Sequence, residues 1–209
     1  MHARYAEDGP VLSARRRESA ERALRPVWNG FLQLVPAWRK RVATQEEIKA
    51  LVTQMVKGDM GQKREAASAL EKMGKEGLPA LIWCLKRPER QTRRMAARAI
   101  TKMGEAAIPT LEKAAREDDP EIRKQVAYVL GEIGPPAIPV LTQLLGDPEA
   151  SVRAQVASAI GVMMGDGKAA LPAVKEALAN EQDPNVKQLL QQASDSLEGG
   201  TSLLSDSEG

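Results

Sequence analysis

The chain has 209 residues, a net charge of +2, 43% apolar and 28% charged residues, so it holds enough apolar material for a sizeable core and is too apolar for a disordered polyelectrolyte. Aromatics make up only 3% while alanine is abundant, which suits closely stacked helices better than a β-sandwich. The one cysteine, Cys84, excludes an intramolecular disulfide framework and fits a reducing compartment; no apolar run reaches the roughly 20 residues of a membrane span, and the polar opening MHARYAEDGP carries no secretory signal. These features together predict a cytoplasmic protein.

From the amino terminus, residues 1–43 stand apart. They hold nine Lys and Arg against four Asp and Glu, and Trp28, Phe31, Val35 and Trp38 follow one another at helical spacing, broken or kinked by Pro36. Three readings fit this basic, aromatic stretch, and one of them is disorder. In the other two it caps the exposed apolar end of the helices that begin near residue 44, or it is a docking arm, with membrane-surface contact through residues 15–43 as one form of docking.

Thr44-Gln45-Glu46-Glu47 reads as a capping box that opens the next helix, with Ile48, Leu51 and Met55 on its apolar face. From there a period of 30 residues takes over. Glycines fall at 74, 104 and 134, prolines at 79, 109 and 139, and basic residues at Lys63, Arg93, Arg123 and Arg153. Apolar columns keep the same register: Ala66/Ala96/Val126/Val156, Leu70/Ile100/Leu130/Ile160 and Met73/Met103/Ile133/Met163. A fixed period of this length means stacked supersecondary units, each too small to bury its apolar face alone.

Each unit reads as two helices. In EIRKQVAYVLGEIG, Ile122, Val126, Val129, Leu130 and Ile133 share one helical face. Asp119-Pro120 marks its start, with Asp147-Pro148 and Asp183-Pro184 as repeats of that signal, and Gly134 its end. The second helix buries Ile108, Leu111 and Ala115, matched by Leu78, Leu81 and Leu85 before it and Ile138, Leu141 and Leu145 after it. Downstream, MMGDGKAALP inserts about three residues before Pro172. The last helix, NVKQLLQQASDSL, carries glutamines on its outer face as a terminal cap should, and residues 198–209 form an acidic Gly/Ser-rich tail with the composition of disorder.

Units such as DPEIRKQVAYVLGEIGPPAIPVLTQLLGD and DPEASVRAQVASAIGVMMGDGKAALPAVKEALAN resemble the HEAT-like repeat of the phycobilisome-lyase type over roughly residues 44–197. Gly58-Asp59-Met60-Gly61 departs from that pattern in the first complete unit. The resemblance implies an all-α, right-handed α-solenoid of about four to five helical hairpins behind a non-repeat amino-terminal segment. It also implies that the second helices line a concave face. Repeats of this type serve in scaffolds, adaptors, phycobilin lyases and a group of DNA glycosylases, so the resemblance leaves function open.

On that face, Trp83, Lys86, Lys113, Arg116 and Gln143 occupy columns not used by the core and are candidate partner contacts, with the column Ile82/Glu112/Thr142 beside them. Trp83 is either an anchor for a partner or packing for the amino-terminal segment. The ladder Lys63/Arg93/Arg123/Arg153 reads as a structural tie between units or as a phosphate-binding stripe; each member sits near a helix start, where the dipole disfavours a cation. Cys84 shares a small-residue column with Ala114 and reads as a packing thiol. His2 is the lone histidine, so no catalytic triad, metal site or cofactor is expected.

Charge is polarised along the chain. Residues 1–103 carry 22 Lys and Arg against 11 Asp and Glu, and residues 104–209 carry 8 against 17. A linear stack keeps that order in space, so the expected partner is a protein that is acidic where it meets the amino-terminal half. Nucleic acid is disfavoured because residues 46–197 balance at 21 basic and 21 acidic. The sequence therefore predicts a non-catalytic scaffold, with nucleic-acid binding or a lyase-like accessory role as the rivals.

Overall fold

The structure, a computed structural model, describes residues 37–199, with side chains from Thr44 onward. Trp28, Phe31 and Val35 lie outside the described residues, as do residues 200–209, and the Trp38 side chain is likewise outside the description. Two units divide between Glu46 and Glu47. In the first, residues 37–46 are helical backbone; the second carries the repeats.

Helix α1 (Ala37–Lys57) is followed by α2 (Met60–Lys72), α3 (Leu78–Leu85), α4 (Arg90–Met103), α5 (Ile108–Ala114), α6 (Pro120–Ile133), α7 (Ile138–Leu144), α8 (Ala150–Gly161), α9 (Leu171–Asn180) and α10 (Pro184–Gly199). No strand occurs among the described residues, and none of their helices is long and apolar enough to cross a membrane. The fold is an all-α solenoid. Even-numbered helices stack in order, α2 on α4, α4 on α6, α6 on α8 and α8 on α10, while α3, α5, α7 and α9 each pack on the even helix that follows.

The apolar columns explain that stacking. Ala66, Ala96, Val126 and Val156 are fully buried, as are Leu70, Ile100, Leu130 and Ile160, so each first helix seals its neighbour at the same height. Burial of each of the larger side chains contributes about 1.5–3 kcal/mol. The third column, Met73/Met103/Ile133, lies at the ends of the first helices and is only partly buried. At the far end, α10 buries Val186, Leu190, Ala193 and Leu197 and turns Gln188, Gln191 and Gln192 to solvent.

Several local expectations shift. Thr44-Gln45-Glu46-Glu47 does not open a helix: α1 runs through it, because nothing between Pro36 and Gly58 breaks a helix. Asp147-Pro148 is not the counterpart of Asp119-Pro120. Asp119 caps α6 by accepting from the Glu121 N–H at 3.0 Å, whereas the equivalent N-cap of α8 is Glu149, two residues beyond Asp147. Asp59 caps α2 with a complete capping box, accepting from the Gln62 N–H at 2.8 Å while its own N–H reaches Gln62 Oε1 at 3.0 Å. Loss of the Asp-Pro pair there removes the proline and keeps the cap.

Gly104 (φ 58°, ψ −139°) and Gly134 (φ 91°, ψ −151°) end their helices in the mirror image of extended backbone rather than in a left-handed helical turn. That region is essentially confined to glycine. Thirty residues on, Met164 takes the same rung with φ 48°, its side chain exposed, where the inserted residues form a longer 3-10 turn over Met164–Ala170.

Glycine also sets the spacing of α6 and α8. A Cβ on Gly131 would lie 2.7 Å from the Ala159 Cβ, closer than real carbons approach. Gly131→Ala should therefore lower stability by about 1–3 kcal/mol despite the better helix propensity of alanine. Ala159→Gly in the same chain should restore part of the loss, as read by a double-mutant cycle in urea. A stabilising Gly131→Ala would show that α6 and α8 are not in close contact.

Candidate partner-binding faces

The basic ladder meets the end of the preceding helix. Lys63 Nζ donates to the carbonyls of Met55 and Val56, both at 2.7 Å, and to Thr92 Oγ1 at 3.1 Å; the Thr92 hydroxyl donates to the Met55 carbonyl at 2.7 Å. Arg93 Nη1 donates to the carbonyls of Arg87 and Pro88 at 2.6 and 2.8 Å. Arg123 Nη1 takes those of Glu117 and Asp118, both at 2.9 Å, and Arg153 Nη1 those of Asp147 and Pro148 at 2.8 and 3.1 Å. Each cation thus leaves the positive start of its own helix for the carbonyl-rich turn after the previous one.

Two rungs also hold a carboxylate from the next unit. Arg123 Nε and Nη2 donate to Asp147 at 2.7 and 2.8 Å, and Arg153 Nε and Nη2 donate to Glu181 at 2.7 and 2.8 Å. Both carboxylate side chains are 4% exposed, which makes these paired charges buried rather than superficial. The Arg153 fork holds the Glu181 carboxyl down at about 2 against the upward push of burial, helped by the N–H groups of Asp183 and Gln182. For Asp147, burial pushes the carboxyl up, but the Arg123 fork and the Glu149 N–H outweigh it and the net direction is down. Arg93 has no such carboxylate; Glu117, thirty residues before Asp147, stays exposed.

On the layer of second helices, Trp83 is 40% exposed, with the Arg87 guanidinium carbon 3.9 Å above its ring. Arg87 Nε is buried and lacks a hydrogen-bond partner. Lys113 and Gln143 are exposed and Lys86 half-buried, while Arg116 is committed to Glu112 at 2.7 Å. Arg116 and Gln143 line one shallow cleft of about 200 Å³ between α5 and α7, and Gln143 also borders one of about 540 Å³ between α7 and α9. Trp83, Lys86 and Lys113 line neither cleft. Ile82 is not a free surface position: it is 8% exposed and belongs to the core, because the short helix α3 turns it toward its neighbours together with Leu81 and Leu85. Cys84 is buried too, and burial pushes its thiol up to about 11, against the weaker pull of Arg87 and Lys63. That leaves no thiolate for nucleophilic chemistry near neutral pH.

A groove of about 810 Å³ lies instead on the layer of first helices. Helix α4 forms its floor and α2 and α6 its walls. Arg90, Arg94, Arg98 and Lys102 recur every four residues along α4, a helix without a single acidic residue. Same-sign neighbours at this spacing each destabilise a helix by about 0.2–0.5 kcal/mol. Among the described residues Lys102 finds Glu71 at 3.8 Å, and Arg64, Arg94 and Arg98 make no ion pair. Tyr128, 40% exposed, borders the groove from α6. The run RQTRRMAARAITKM carries this signal within a single first helix, outside the columns of the 30-residue period.

Glu181 allows a direct check of the clamp. Its carboxyl titrates lower in the folded chain than its ordinary 4.5, so its contribution is complete above pH 4.5 and is lost as pH falls toward about 2. Glu181→Gln should lower stability at pH 7 by about 2 kcal/mol. It should also flatten the fall of the melting temperature between pH 4.5 and about 2. Parallel melting curves for the two proteins across that range would show that the pair does not stabilise the fold.

A model of HEAT repeats matches residues 48–128 and 108–194. No curated protein matches the chain. Among solved structures, the complex of CpcE and CpcF of phycocyanin lyase from Nostoc sp. PCC7120 is similar at 20% identity and a TM-score of 0.48, over 70% of this chain and 96% of that one. Human deoxyhypusine hydroxylase in complex with glycerol is similar at 20% identity and a TM-score of 0.45, over 73% of this chain and 74% of that one. The two stretches matched by the repeat model run through most of the chain, in the same units that the columns and clamps define, and the chain belongs to the HEAT-repeat family.

Proposed function

We propose that the protein is a non-catalytic scaffold of the cytoplasm that binds an acidic protein partner across its second helices, with Trp83 as the anchor. The observation that carries this reading is the exposed indole stacked under Arg87. Large aromatic and arginine side chains dominate the energetics of protein interfaces, and here Trp83 stands on α3 with Arg87, two residues past the end of that helix, stacked on its ring.

Charge supports the choice of partner. Within the repeats, residues 47–103 carry 13 Lys and Arg against 6 Asp and Glu, and residues 104–199 carry 8 against 15. An acidic surface would approach the α2–α4 end and be oriented by the gradient, while the apolar anchor would set the lifetime of the complex. Lys86 and Lys113 flank Trp83 in sequence columns suited to carboxylates of that partner.

The test separates binding from folding. Trp83→Ala should cost about 1–3 kcal/mol in stability, from its cation–π contact and the covered part of the ring, without unfolding the chain. Its complex with the cognate partner, isolated by affinity capture with the wild-type chain, should weaken by about 2 kcal/mol or more, roughly thirtyfold in Kd. Lys113→Glu should slow association, most strongly at low salt. A Trp83→Ala chain that unfolds easily but binds normally when folded would make Trp83 a packing residue and remove the anchor.

A further inference from the structure

We infer that the groove floored by α4 is a second docking site, separate from Trp83, that takes an acidic amphipathic helix from a partner protein. The observations are independent of the second helices. Arg64, Arg94 and Arg98 face the groove without ion-pair partners among the described residues, in a molecule that clamps Arg123 and Arg153 with buried carboxylates. Cations left in a row along one helix are stabilised by an anion from outside the fold.

The floor narrows the class of anion. Between the basic side chains lie Met95, Ala97 and Ala99, small or apolar, and Tyr128 stands at the edge. A free phosphate or a nucleic-acid strand gains nothing from an apolar floor, and Glu65, Glu71 and Glu132 on the same walls would repel a continuous row of phosphates. An amphipathic helix fits both features. Its apolar stripe covers Ala97 and its acids alternate with it, reaching Arg94 and Arg98 while avoiding the three glutamates. From Arg94 to Lys102 the floor extends about 12 Å, close to two helical turns, so a short segment fills it.

The test uses the full chain and a synthetic labelled peptide of about 12 residues, with leucine and glutamate at helical spacing, followed by fluorescence anisotropy at two salt concentrations. The same peptide with its order scrambled, a short DNA duplex and a peptide of residues 198–209 serve as competitors. The site predicts that the amphipathic peptide binds at least tenfold tighter than its scramble. It also predicts that Arg94→Glu with Arg98→Glu weakens binding at least tenfold without lowering the melting temperature, since the charge reversal relieves repulsion within α4. Tyr128→Ala should weaken it less, and Arg94→Gln with Arg98→Gln gives the same loss by neutralisation alone. Trp83→Ala should leave it unchanged; loss of the peptide on that substitution would assign it to the Trp83 face and overturn this site while keeping the proposed function. Equal binding of the scramble, tighter binding of the duplex, or undiminished binding after charge reversal would each overturn the inference. A residue 198–209 peptide that competes as tightly would give the groove to the chain's own tail and overturn the partner assignment.

Discussion

The repeats depend on one interaction: a cation near the start of each first helix that reaches back to the carbonyls closing the helix before it. Lys63, Arg93, Arg123 and Arg153 all make it, at the same height in successive units. A turn between two helices leaves carbonyl oxygens without intrahelical donors, and in a stack those turns are shielded on one side by the next unit. A guanidinium satisfies two of them with one nitrogen and keeps its other edge for a carboxylate. In the later units that edge ties one hairpin to the next through Asp147 and Glu181. The 30-residue period follows from this geometry as much as from the apolar columns, because an insertion moves the cation off its carbonyls.

That internal economy of charge gives meaning to the places where it stops. Asp147 and Glu181 are consumed in the acidic half of the stack, whereas α4 presents three basic side chains, Arg94, Arg98 and Lys102, to one groove and supplies no acid of its own. The basic end is therefore the end with unspent electrostatic capacity, and both candidate faces touch it: Trp83 on α3 in one layer and the α4 groove in the other. A two-layer repeat naturally offers two faces of different shape, the short second helices on one side and the groove along α4 on the other.

Much of the fold was legible because stacking writes the same demand into every unit. Ala66, Ala96, Val126 and Val156 could be aligned without a structure, since each fills the same gap. What could not be read was the direction of side chains in turns. Asp147-Pro148 has the look of Asp119-Pro120 and accepts the Glu149 N–H as Asp119 accepts that of Glu121, yet its carboxylate also turns inward to Arg123; in the sequence only its place two residues short of the 30-residue register marks the difference. Lys63 and its successors were visible as a column, but their acceptors are backbone carbonyls, which have no letter in the sequence. Ile82 looked free because its column holds polar residues elsewhere; α3 rotates it into the core. The α4 groove leaves no mark in the 30-residue period for the opposite reason: its basic row runs along one helix and does not recur in the other units.

The most direct test of the clamp's role is the unfolding free energy of Arg123→Met, measured with hydrogen exchange across the stack. The substitution keeps an unbranched apolar stem, strands the buried Asp147 carboxylate and uncaps the carbonyls of Glu117 and Asp118. Breaking one partner out of a buried pair costs about 3–5 kcal/mol, and in a stack held by neighbour contacts the loss should reach amides of both α6 and α8. A fall of that size with protection lost on both sides of the clamp is the predicted result. A change under about 1 kcal/mol, confined to the turn after α5, would mean that apolar columns alone hold the units together.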